Sequence, residues 1–179
     1  RAAQEAVAAD DRPPTWATVA EPLADALDRL QRAWGAVTHL NAVVSTPALR
    51  DAYHASLPKI TAYYTDLAQD LRLFRRYRGL AAAPEFAALD PEKKRVVANE
   101  LRDFRLGGAE LPAAEKAQLK AVEEELAELA ARFDDNLLDA TNDWALDIDD
   151  GAELAGVPGD VLAEARAAAA ADGKTGWKL

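Results

Sequence analysis

The 179 residues contain no cysteine, which removes disulfides, thiolate nucleophiles and cysteine-held zinc together and leaves the fold to stand on packing. Zero cysteine agrees with a reducing compartment, and no charged-then-apolar segment argues for export, so a cytoplasmic location is the expectation. Methionine is absent as well. The chain opens on "RAAQEAVAAD", which reads as the end of an alanine-rich helix without a cap, and "GKTGWKL" stops where a strand would be starting. Both ends are therefore expected to have been cut from something longer.

Long apolar runs are missing too. None approaches the roughly 18 to 20 residues of a membrane span, so no transmembrane helix and no membrane partner are expected. Positive charge is scarce: 21 lysines and arginines face 31 aspartates and glutamates, for a net charge of -10. A nucleic-acid partner, which needs clustered cations against phosphates, finds little support. The one basic cluster, "RLFRRYR" at 72 to 78, spreads its charges around a helical turn among Leu73, Phe74 and Tyr77 and is expected to be a solvated face.

Catalytic motifs are equally thin. His39 and His54 are the only histidines, they fall on different predicted helices, and neither belongs to a His-Glu-x-x-His pattern that would clasp zinc beside a general base. There is no Gly-x-Ser-x-Gly elbow. "GGAELP" lacks the lysine and the strand-to-helix setting of a phosphate loop. Expected site residues are therefore none: no catalytic, cofactor-binding or metal-binding position is assigned.

What the chain does have is helical periodicity. Half of its residues are hydrophobic. After the break at "DDRPPT", Thr15 is a candidate cap, and Leu23, Leu27, Leu30, Trp34 and Val37 form the stripe of a helix over roughly 16 to 44. Ser45 or Thr46 with Pro47 starts a second helix. Pro58 is expected to interrupt or kink it, after which Ile60, Tyr64, Leu67, Leu71 and Phe74 carry the stripe to a stop at Gly79. Asp90, Pro91 and Glu92 start another helix, with Val97, Leu101 and Phe104 on its core face and Gly107 and Gly108 at its end.

Pro112 opens the longest helix, about 112 to 143, with Leu119, Val122, Leu126, Leu129, Phe133, Leu137, Ala140 and Trp144 in a rhythm of three to four. "WALDID" at 144 to 149 alternates as a strand does, a further helix covers 158 to 171, and the terminal "WKL" is placed to pair with that strand. The expected fold class is all-α: an antiparallel helical lobe with one long helix and a minor two-stranded β element near the C-terminus, forming one domain over 1 to 179.

The densest charge lies in "RFDDNLLDATNDW" at 132 to 144. Asp135, Asp139 and Asp143 stand four apart and would form one ladder on a helix. A metal would relieve their repulsion, but one straight helix cannot wrap six to eight oxygens around a calcium ion. A di-iron bundle needs two Glu-x-x-His pairs, and none is present. Asp134, Asp135, Asp139 and Asp143 are thus expected on a wet face, with Phe133, Leu137, Ala140 and Trp144 facing the interior.

Three stretches fit together as one pattern: "VTHLNAVVSTPALRDAYHASLP" (37 to 58), "VVANELRDFRLGGAELP" (96 to 112) and "LAARFDDNLLDATNDW" (129 to 144). In order and spacing the chain resembles the N-terminal part of the thimet oligopeptidase and neurolysin family of zinc metallopeptidases. "TWATVAEPLADALDRL" before them and "AELAGVPGDVLAEARAAA" after them extend the resemblance over essentially the whole chain.

The resemblance implies a largely helical enzyme whose two lobes flank a deep channel that admits short peptides, and zinc-activated water that hydrolyses internal peptide bonds. It implies that the zinc ligands lie in a His-Glu-x-x-His helix of a C-terminal lobe absent from these residues. The chain is then expected to be the N-terminal helical domain of a zinc metalloendopeptidase, inactive alone, binding no zinc itself, and packed on the missing catalytic lobe. An acidic face at Asp135, Asp139 and Asp143 would favour cationic peptide segments by long-range attraction. The other class of function is a free-standing helical interaction module, with the long helix offering its apolar face to a partner.

Overall fold

Helix starts follow capping chemistry throughout. In the computed structural model, which describes residues 1–179, Thr15 is extended and its hydroxyl accepts from the Thr18 amide at 3.2 Å, while the Thr18 hydroxyl accepts from the Thr15 amide at 2.9 Å. Two amides without intrahelical partners are satisfied reciprocally. The Thr46 hydroxyl accepts from the Leu49 amide at 3.3 Å and the Asp90 carboxylate from the Lys93 amide at 2.7 Å, each followed by a proline at the first helical position.

The resulting elements are α1 (Ala2–Ala8), a π-helical turn (Trp16–Ala20), α2 (Glu21–Val43), α3 (Pro47–Ala68), α4 (Leu71–Ala82), α5 (Pro84–Ala88), α6 (Pro91–Leu106), α7 (Ala113–Asp143), β1 (Asp147–Ile148), a 3-10 turn (Gly151–Leu154), α8 (Gly159–Ala171) and β2 (Trp177–Lys178). The protein is all-α with one small antiparallel sheet, as its periodicity predicts. No helix is long and apolar enough to cross a membrane. The chain divides into two compact units, residues 1–131 and residues 132–179, and α7 runs through the division.

In the first unit α4 packs against α1, α5, α6 and the π-helical turn. Leu73, Phe74, Tyr77 and Leu80 are all buried, the i, i+1, i+4, i+7 face of a helix, and they join Val7, Val19, Leu23, Leu67, Val97 and Phe104 in one core. The Phe104 ring stands 6.1 Å from that of Phe74 and 5.6 Å from that of Tyr77, in tilted contacts.

The structure corrects the sequence reading in three places here. Pro58 does not interrupt α3, which runs unbroken from Pro47 to Ala68. The break comes at Gln69 and Asp70 instead, so the stripe from Ile60 to Phe74 spans two helices. Gly79 is no stop: it lies inside α4, where an added Cβ would come within 2.8 Å of Pro14 Cγ. Close approach of the "DDRPP" segment, and not helix ending, is what requires a glycine there.

The basic cluster is solvated at Arg72, Arg75 and Arg78, as expected, and departs from that at Arg76. Arg76 is only 13% exposed; its Nη1 donates to the Arg12 carbonyl at 2.6 Å and its Nη2 lies 3.8 Å from Asp10. Arg72 bridges Glu5 and Asp70, each at 2.9 Å. Arg78 lies over the Phe74 ring. Arg72 and Arg76 thus clamp the first 12 residues onto α4, a role that periodicity alone does not distinguish from solvation.

At the end of α6, Gly108 takes φ 88°, in the left-handed region that glycine reaches without strain. In the second unit, Asp147 pairs with Lys178 and Ile148 with Trp177, antiparallel, and Leu146 and Leu179 exchange backbone hydrogen bonds at 2.8 and 3.0 Å. β2 packs against α8, and the Arg166 guanidinium sits 4.6 Å from the Trp177 ring centre.

Asp70 is the hinge of the α3–α4 break and its side chain is 7% exposed. It accepts from the Arg72 and Leu73 amides at 2.9 and 3.4 Å and from Gln4 Nε2 at 3.2 Å. Burial opposes its ionisation, but the hydrogen bonds from Arg72 and Gln4 outweigh burial and hold the carboxyl below its usual range. Asp70→Ala is expected to lose about 2 kcal/mol of stability in urea unfolding at neutral pH. Because the folded-state pKa is depressed, the contribution is complete above the ordinary aspartate value of 3.8 and vanishes as pH falls through the lower folded one. Wild type and variant should therefore converge in acid.

Candidate functional site

The residues singled out for metal chemistry are not gathered. His39 is exposed on α2, and His54 is half-buried on α3, its ring edge-on to Tyr53, which in turn stacks on Trp34 at 5.2 Å. No group of three or more histidine, aspartate or glutamate side chains is placed to hold a metal ion. Zinc needs at least three converging protein ligands, and the donor set here does not fit it. Asp134, Asp139 and Asp143 are exposed along α7, as a wet face requires, while Asp135 is half-buried.

The apolar side of the same helix is where the sequence reading fails. Phe133, Leu137 and Trp144 were expected inside and are 65%, 57% and 68% exposed. Val122, Leu126 and Leu129 continue that line at spacings of three to four and are exposed as well. The covered side of α7 instead carries Ala127, Ala131, Asp135 and Leu138. Periodicity shows that a helix has an apolar face but not whether the chain itself covers it.

A second feature lies wholly within residues 1–131. A cavity of about 250 Å³ opens between α2, α3 and α6, lined by Leu23, Leu27, Tyr64, Leu67, Ala68, Phe104 and two carboxylates, Glu100 and Asp103. A neighbouring depression of about 220 Å³ shares Tyr64 and Ala68 and adds Leu119 and Glu123. Burial, and then the charge of Asp103, push the Glu100 carboxyl above its usual range. Asp103 is paired with Arg102 at 2.7 Å. No cation reaches Glu100.

Glu100 escaped the sequence reading, though a signal existed. Val97, Glu100 and Phe104 stand at i, i+3 and i+7, so an acid occupies the core face of α6.

Comparison with known proteins gives this geometry its relatives. Residues 4–116 match the model of the neurolysin/thimet oligopeptidase N-terminal domain. Oligopeptidase A of Salmonella typhimurium is 40% identical over 179 residues, which is 100% of this chain and 26% of that protein. Oligopeptidase A of Escherichia coli is 39% identical over 98% of this chain and 26% of its own length. A probable cytosolic oligopeptidase A of Arabidopsis thaliana is 30% identical over 83% of this chain and 21% of its own length. The chain thus spans about a quarter of the bacterial relatives' length. A match over the helices that build the first core, in the order in which they occur, carries one conclusion: the chain belongs to the neurolysin/thimet oligopeptidase family, to whose N-terminal domain it corresponds.

Proposed function

We propose that these residues form the N-terminal helical domain of a zinc-dependent oligopeptidase that hydrolyses short peptides, and that they shape access to the active site without supplying its metal ligands. The observation that carries this reading is the match to the N-terminal domain model over 4–116, together with identity that runs the length of the chain but covers about a quarter of the relatives. The donor set supports it from the other side. With two histidines on separate helices, the zinc ligands are, on this reading, supplied from elsewhere in the parent protein.

The exposed stripe of α7 supplies the point of attachment. Val122, Leu126 and Leu129 in the first unit, and Phe133 and Leu137 in the second, are exposed large apolar groups of this 31-residue helix. Such groups are costly to leave in water and are covered, on this reading, by the catalytic lobe of the same protein. A rigid helical wall then limits substrate size, because folded proteins cannot thread past it and the wall loses little entropy when peptide binds. A cytoplasmic location is part of this proposal; of two Arabidopsis relatives, one is named probable cytosolic and the other organellar.

A helical interaction module remains the second reading, since the same stripe would serve an external partner. The coding sequence beyond Leu179 separates the two: continuation into a region with His-Glu-x-x-His supports the peptidase, and a stop codon supports the module.

Two outcomes are expected. The 179-residue chain supplied with zinc should cleave a fluorogenic short peptide no faster than the buffer control; turnover above background would place a catalytic site within it. The double variant Leu126→Asp, Phe133→Asp should leave the melting temperature of the 179-residue chain nearly unchanged, because both side chains are exposed in it. In the complete parent it should lower both melting temperature and peptidase activity. An unaffected parent would show that the stripe is not the lobe interface.

A further inference from the structure

Glu100 is a mostly buried carboxyl with no cation beside it, set in a cavity walled largely by hydrocarbon, with Tyr64 and Asp103 the other polar side chains. Its nearest charged neighbour within the cavity is Asp103, of the same sign. A carboxylate so placed is costly unless it is protonated or paired. Tyr77, buried next to it, supplies no positive charge and is itself pushed upward, by burial first and then by Glu100. Arg102 is taken up by Asp103 at 2.7 Å, in a pair more than half exposed on both sides, so of the two carboxylates only Glu100 is left without a cation. The chain's own cations therefore leave this acid without a counter-ion.

The walls narrow the choice of occupant. Leu23 and Leu27 from α2, Leu67 from α3 and Phe104 from α6 present hydrocarbon, and the two carboxylates lie one helical turn apart on α6. A divalent metal would find too few oxygens among so many methyl groups. An anion would meet repulsion. An ammonium group on an aliphatic chain satisfies both parts: it can donate to the unpaired Glu100 carboxylate, and its methylenes replace water along the leucines. A cavity of about 250 Å³ holds a side-chain-sized ligand and not a cofactor.

We propose that the cavity between α2, α3 and α6 is a binding site for an alkylammonium group, which lays its hydrocarbon against Leu23, Leu27, Leu67 and Phe104 and its charge against Glu100. The site lies outside any peptide-bond chemistry and does not depend on the oligopeptidase reading. Its ligand is a free aliphatic amine or the lysine side chain of a basic peptide segment, two sources of one chemistry.

The test is a titration of the 179-residue chain at pH 7 with n-hexylammonium chloride, n-hexanol, hexanoate and Nα-acetyl-lysine methylamide, followed by the amide shifts of Leu67, Ala68 and Phe104. Saturable binding of hexylammonium at least tenfold tighter than hexanol is expected, with hexanoate weaker than either. In Glu100→Gln the preference for hexylammonium over hexanol should shrink about tenfold while hexanol binding holds within about twofold, the size expected for loss of a charge-assisted hydrogen bond. Binding of the blocked lysine with the same response to Glu100→Gln would identify a peptide segment as occupant, and its failure beside hexylammonium would identify a free amine. Hexanol binding as tightly as hexylammonium to the unmodified chain would overturn the proposal without any variant, as would the absence of saturable binding. None of these readouts involves hydrolysis, so the peptidase reading stands or falls separately.

Discussion

Burial of one face of α4 is the constraint on which the first unit depends. Leu73, Phe74 and Leu80 are fully shielded and Tyr77 nearly so, and each large side chain removed from water contributes roughly 1.5 to 3 kcal/mol. That face can be buried only if α1, α6 and the π-helical turn close around α4. The cap at Asp70 sets where α4 begins, and the missing side chain at Gly79 lets Pro14 lie against it. Arg72 and Arg76 then fasten the first residues across the remaining side. The exposed Arg72–Glu5 pair is individually weak and orients the segment more than it stabilises it.

α7 obeys the opposite logic. Its apolar groups are as large as those of α4, yet Phe133 and Leu137 remain more than half exposed and the covered side carries Ala127, Ala131, Asp135 and Leu138. A helix of this kind is sufficient for its own chain only in part. On the reading proposed above, that surplus is covered by the rest of a protein whose bacterial relatives are about four times as long as this chain.

Local chemistry was legible in the residues. Thr15, Thr46 and Asp90 cap helices because a short polar side chain before a helix reaches the free amides whatever surrounds it, and Gly108 ends α6 because its backbone alone permits the turn. The pairing of Ile148 with Trp177 follows from alternation near both ends of the second unit. Nonlocal geometry was not legible. The spacing Leu67, Leu71, Phe74 runs straight through the break at Asp70, since two helices packed on one core can keep a common rhythm. Gly79 reads as a stop until Pro14 is seen against it. Arg76 reads as solvated until Asp10 and the Arg12 carbonyl are brought to it. Glu100 lies in plain view on the core face of α6, but only the assembled cavity shows that no cation meets it.

The central claim is that this polypeptide is architecture, and that the ion which would activate water is held by other residues. Metal content tests it most directly. Equilibrium dialysis of the folded 179-residue chain against micromolar zinc, followed by elemental analysis, should give far less than one zinc per chain. One tightly held zinc per chain, lost on replacing His39 or His54, would contradict the account.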